Sequence, residues 1–98
     1  MRKTSYSQDM SKSRVLHLIG NAHLDPVWLW PWRDGCSEVL TTLQSAVNFL
    51  DTEPDFKFTR SSSEIYRWVQ HADPRLFARI QHYVRKGRWE IVGGWIEQ

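Results

Sequence analysis

Cysteine occurs once in the 98 residues, at position 36, so the chain forms no internal disulfide and fits a reducing compartment. Long apolar runs are also lacking, and nothing approaches the roughly 18 continuous apolar residues of a membrane span. Met1 to Arg14 is polar and has no apolar core of the kind a secretory signal needs. This stretch reads as a disordered leader, residues 1–14, and the cytoplasm is the expected compartment. An excess of either charge is missing as well. The net charge of +2 is too small to imply nucleic-acid or membrane partners. No internal repeat appears, and no low-complexity tract beyond the leader.

What remains is apolar and aromatic. Hydrophobic residues make up 41% of the chain, enough for packed elements and too much for a disordered tail. Val15-Leu16-His17-Leu18-Ile19 is a short apolar run closed by Gly20 and Asn21, which favours a strand buried on both faces. Pro26 to Trp32 reads as a loop, because each proline disfavours helix just before it. A helix is expected from about Cys36 to Leu50, with Val39, Leu40, Leu43, Val47 and Leu50 on one stripe. Asp51 to Pro54 ends it.

Phe56-Lys57-Phe58-Thr59 then alternates like a strand. Ser61 and Glu64 have the spacing of a capping box for a helix through about His71. Asp73-Pro74 restarts the helix with an N-cap and a first-turn proline, and Gly87 stops it. Trp89-Glu90-Ile91-Val92 is the third strand, broken by Gly93-Gly94. The β-α-β-α-β order predicts an α/β fold with mainly parallel strands. Such strands need cover on both faces and partners at their edges. Three strands, with the chain halting at Ile96-Glu97-Gln98 just past the last, predict the opening portion of a larger α/β domain over residues 15–98.

The chemistry concentrates in Gly20-Asn21-Ala22-His23-Leu24-Asp25-Pro26-Val27-Trp28. Residues two apart on a strand project from the same face. His23 and Asp25, at the carboxyl end of the first strand, therefore aim an imidazole and a carboxylate at one point. Zn²⁺ suits that donor pair best, with other divalent ions open. Sites on parallel sheets and barrels lie at the carboxyl ends of strands. A catalytic zinc takes at least three protein ligands, so further ligands must come from elsewhere. As a bare triplet His-x-Asp is common, and position alone sets this one apart.

Trp28, Trp30 and Trp32 follow directly. A flat indole stacks on the apolar C–H face of a sugar, although tryptophan is also highly buried on average. Trp28 is the first candidate for stacking, while Trp30 and Trp32 divide between pocket wall and core. Trp95, after Gly93-Gly94, is a further candidate wall. Trp68 and Trp89 read as structural, His17 as a core histidine, and His71 and His82 as solvent-facing. Capping accounts for Glu64, and Cys36 has no histidine or cysteine neighbour to activate it.

The segment Leu18-Ile19-Gly20-Asn21-Ala22-His23-Leu24-Asp25-Pro26-Val27-Trp28-Leu29-Trp30 resembles the N-terminal signature of glycoside hydrolase family 38, the α-mannosidases. Trp89-Glu90-Ile91-Val92-Gly93-Gly94-Trp95 is similar to that family's next landmark. The resemblance implies an irregular α/β barrel holding one zinc ion, of which this chain would be the N-terminal fragment. It assigns His23 and Asp25 as the first two zinc ligands and Trp28 as the rest for the mannose ring. It also implies an aspartate nucleophile that doubles as a ligand, a ligand histidine and an acid/base aspartate, all beyond Gln98.

The implied reaction is retaining hydrolysis of terminal α-D-mannosyl residues, with the two carboxyl groups about 5–5.5 Å apart. The expected partner is a mannose-containing oligosaccharide or glycan, and the 98-residue piece alone is expected to be inactive. Two other readings stay open. One is a non-catalytic truncated or carbohydrate-binding module. The other is a different strand-end metal hydrolase, although the tryptophans disfavour a phosphate substrate.

Overall fold

A computed structural model describes residues 13–26 and 28–95 of the chain. Most of the expected leader, and the final Ile96-Glu97-Gln98, lie outside the described residues. The elements are β1 (Gly20–Asn21), α1 (Trp32–Thr52), β2 (Phe58–Arg60), α2 (Ser63–Ala72), α3 (Pro74–Arg85) and β3 (Trp89–Ile91). The strands form a parallel sheet in the order β1-β2-β3. Gly20 stands opposite Phe58, and Phe58 opposite Trp89. The fold is α/β, as the alternation of elements predicts.

The core lies where the helices meet the sheet. From α1 come Val39, Leu43, Ala46, Val47 and Leu50, and from α2 Ile65, Tyr66 and Val69. Leu76, Ile80 and Tyr83 of α3 join them, with Phe58 and Trp89 from the strands. Each helix thus buries one stripe at helical spacing. Phe58 and Trp89 pack as tilted rings with centroids 4.6 Å apart across neighbouring strands, an arrangement that adds to simple burial.

The ends of α3 follow their sequence signals. The Asp73 carboxylate accepts from the Leu76 backbone N–H at 3.0 Å, and Pro74 occupies the first turn. Gly87 follows with a positive φ of 72°. The start of α2 differs from the expected capping box. Its N-cap is Ser62, whose side chain makes no cap hydrogen bond. Two first-turn N–H groups, of Ser63 and Glu64, instead donate to the carbonyls of Gly94 and Trp95 at 3.1 and 3.2 Å. Backbone from beyond β3 therefore does the capping, and Glu64 pairs with Arg67 at 3.1 Å.

The largest departure concerns Val15–Ile19. Strand pairing starts only at Gly20, and Val15, Leu16, His17, Leu18 and Ile19 are all exposed. The register explains this. Extending the Gly20–Phe58 pairing backwards would set Leu16 opposite Pro54, in the turn that follows α1. That turn is closed by the Phe56 N–H donating back to the Glu53 carbonyl at 3.1 Å, so no extended neighbour is present for the residues before Gly20. His17 is accordingly exposed rather than a core residue. α1 also begins earlier than expected, at Trp32, directly after Pro31 at the N-cap.

Candidate metal and sugar site at the sheet edge

Because all three strands are parallel, their carboxyl ends share one edge of the sheet. The segments carrying His23 and Asp25, Arg60 and Ser61, and Trp95 all leave from it. After β1, Ala22 and Leu24 turn inward and pack against the core. His23 and Asp25 alternate with them. The His23 Nε2 and Asp25 Oδ1 atoms lie 2.9 Å apart, with side chains 63% and 20% exposed. The spacing of two thus brings the His23 and Asp25 side chains together.

The loop that holds them is fixed at several points. The Asn21 side-chain amide donates to the Thr59 carbonyl at 2.8 Å. The Arg60 guanidinium donates to the Leu24 carbonyl at 2.8 Å and to Ser61 Oγ at 3.3 Å. The Trp30 indole N–H donates to the Asp25 carbonyl at 3.2 Å. Pro26 is buried against the first turn of α1. There Gly35 leaves room that no other residue would, since a Cβ would fall 2.0 Å from the Pro26 carbonyl oxygen.

Arg60 is only 3% exposed. Burial lowers its pKa, opposed by attraction to Tyr66 and to Asp25. Behind it, the Tyr66 hydroxyl donates to the Arg60 carbonyl at 2.8 Å and accepts from Trp89 Nε1 at 3.0 Å. Tyr66 is pushed up to about 12, chiefly by burial, with the Trp89 hydrogen bond and Arg60 pulling the other way. Sequence reading found neither Arg60 nor Gly35. Continuing the alternation of Phe58-Thr59 by one residue places Arg60 on the buried face of Phe58, and that was the available signal.

Trp28 is 65% exposed and Trp95 66% exposed, so both present indole surface beyond the strand ends. Trp30 is half-buried and tied to the loop by its N–H. Trp32 stands at the start of α1 against Trp68, with ring centroids 6.1 Å apart. Trp68 and Trp89 pack as structural residues, while His71 and His82 are exposed. A cleft of about 460 Å³ beside the loop is lined by Leu24, Trp30, Asp34, Ser37 and Glu38.

The donor pair suits zinc in type and spacing. Two ligands on one tetrahedral zinc, each at about 2.0–2.2 Å, stand roughly 3.4 Å apart. The His23–Asp25 separation of 2.9 Å comes within about half an ångström of that. Among the described residues, no group of three or more His, Cys, Asp or Glu side chains could hold a metal. Two candidate donors fall short of the three protein ligands that a catalytic zinc takes.

Residues 13–98 match the glycosyl hydrolases family 38 N-terminal domain. The chain belongs to glycosyl hydrolase family 38. Several alpha-mannosidases are related to this family 38 chain. It is 32% identical over 84 residues to alpha-mannosidase 2C1 of Mus musculus, covering 85% of this chain and 8% of that protein. Alpha-mannosidase G of Dictyostelium discoideum is 31% identical over 98 residues, 98% of this chain and 9% of the relative. An alpha-mannosidase of Saccharomyces cerevisiae is 27% identical over 100 residues, 97% and 9% of the two chains. This chain therefore spans less than a tenth of the length of these relatives. The His23–Asp25 pair and the tryptophans lie within the matched family 38 region.

Proposed function

We propose that this chain supplies the opening part of the active-site barrel of a zinc-dependent, retaining α-mannosidase that removes terminal α-D-mannosyl residues from glycans. The His23–Asp25 pair at the carboxyl edge of a parallel sheet carries this reading. Family membership and the names of the relatives support the mannosyl substrate. The exposed Val15, Leu16, Leu18 and Ile19 support a larger assembly, since a single segment leaves four large apolar side chains uncovered.

His23 contributes a neutral imidazole nitrogen and Asp25 a carboxylate oxygen to a shared cation. A bound zinc would supply a Lewis-acid charge at the sugar's vicinal hydroxyls. Trp28 offers a flat apolar face to the C–H face of the pyranose, and Trp30 and Trp95 serve as flanking walls. Pro26, packed on Gly35, keeps the Asp25 end of the loop from swinging. The nucleophile and the acid/base are assigned to residues outside this chain. The cytoplasm is the proposed location.

Hydrolysis of 4-nitrophenyl α-D-mannoside tests the reading. A polypeptide extended through the downstream reading frame is expected to release nitrophenolate, to lose that activity to a chelator and to regain it with Zn²⁺. The 98-residue chain alone is expected to give no turnover. Zinc-dependent hydrolysis by the short chain would show that the reacting groups have been misplaced.

A further inference from the structure

The peptide planes on both sides of Asp25 are pinned by two side chains, Arg60 of β2 and Trp30 of the loop itself. The carbonyl of Leu24 accepts from the Arg60 guanidinium at 2.8 Å, and the carbonyl of Asp25 accepts from the Trp30 indole at 3.2 Å. With both planes held, the Cα–Cβ direction of Asp25 is set, because φ and ψ are the only soft backbone torsions between them. Leu24 also joins His23 to Asp25, so the Arg60 contact bears on both members of the pair.

Arg60 is itself held from behind. A relay runs from Trp89 Nε1 to the Tyr66 hydroxyl and on to the Arg60 carbonyl, tying the end of β2 to β3 and α2. The guanidinium is buried, and one of its nitrogens reaches Leu24 while another reaches Ser61 Oγ. A fork of donors serves two acceptors at once, which a lysine ammonium on its flexible stem does not reproduce. Burying a charged side chain is costly unless it is paired and hydrogen-bonded. Filling this position with Arg60 is therefore an expensive way merely to close a core.

We propose that Arg60 is a positioning residue for the His23–Asp25 pair. Through the Leu24 carbonyl it fixes the direction in which imidazole and carboxylate converge before a cation arrives. The inference rests on the cation reading of that pair and adds the group that preorganises it.

The test compares Arg60→Lys and Arg60→Met with the unsubstituted protein, each in the polypeptide extended through the downstream reading frame that would carry the remaining ligands. Zn²⁺ affinity is read by competition with a chromophoric chelator, thermal midpoint by circular dichroism, and loop order by ¹⁵N relaxation of the Leu24 and Asp25 amides without metal. Arg60→Lys keeps the charge and is expected to stay folded, yet to bind zinc about 10- to 100-fold more weakly. Its Leu24 and Asp25 amides should gain mobility while those of Ile65 and Ile80 do not. Arg60→Met is expected to lose both the affinity and the midpoint. A folded Arg60→Lys protein with unchanged affinity and unchanged loop order would overturn the proposal. If the unsubstituted extended polypeptide binds zinc no better than its His23→Ala/Asp25→Ala variant, the cation reading fails and the positioning role toward it falls too. The metal-free relaxation data then show whether Arg60 orders the loop for another purpose.

Discussion

Pro26 rests its carbonyl on the α-carbon of Gly35, so close that any side chain at residue 35 would lie 2.0 Å from the oxygen. The contact clamps the loop carrying His23 and Asp25 to the first turn of α1. It also reverses an ordinary expectation. Replacing a helical glycine with alanine normally stabilises by about 1 kcal/mol.

For Gly35→Ala the steric cost outweighs that gain. Overpacking of this kind typically costs about 1–3 kcal/mol, which corresponds to a midpoint lowered by several degrees in a domain of this size. Thermal denaturation monitored by circular dichroism decides the sign. A raised midpoint would show that the loop does not rest on α1 in solution.

Helix starts supply a second contrast. Asp73→Ala removes the side chain that accepts from the Leu76 N–H and should cost about 1 kcal/mol. Glu64→Ala removes only the pairing with the exposed Arg67, because the first turn of α2 is satisfied by the carbonyls of Gly94 and Trp95. Its effect should stay within about 0.5 kcal/mol. Urea titration of the two variants tests the difference. A larger loss at Glu64 than at Asp73 would restore the capping box.

Tyr66 gives the stability a basic-pH limb. Its hydroxyl is neutral when protonated, and burial first of all raises its pKa from 10.0 to about 12 in the folded chain. Between those values the unfolded chain gives up this proton more readily than the folded one. Stability is therefore undiminished below pH 10 and falls as pH rises toward 12. The two-unit difference is worth roughly 3 kcal/mol. Tyr66→Phe should flatten that limb, leaving a residual slope from Tyr83, which its hydrogen bond to Asp51 also raises. At neutral pH the same variant should lose about 1–3 kcal/mol, since Trp89 Nε1 would be left without its acceptor. Denaturant midpoints at pH 7, 10 and 11.5 measure both effects, and an unchanged alkaline slope in Tyr66→Phe would refute the assignment.

The helices were legible because their signals are local and periodic. Val39, Leu43, Val47 and Leu50 mark α1, and Asp73-Pro74 with Gly87 bounds α3. The first strand was misread because Val15–Ile19 is apolar enough for a buried strand, while pairing depends on where β2 begins. Composition cannot show that Pro54 falls in the matching register. The capping box failed for a similar reason, since the backbone that replaced it arrives from residues 94 and 95. At the site, His23 and Asp25 were readable from a spacing of two. Arg60 lies 35 residues beyond Asp25 in sequence and reaches the loop only across the sheet, and Gly35 matters only because Pro26 returns to it.

The proposed function requires one divalent cation shared by His23 and Asp25. Crystallography of the zinc-loaded protein with data at the zinc absorption edge tests it directly. An anomalous peak is expected about 2.0–2.2 Å from both His23 Nε2 and Asp25 Oδ1, with the two side chains parted from their present hydrogen bond. A zinc bound elsewhere, with the His23–Asp25 hydrogen bond still intact at 2.9 Å, would contradict it.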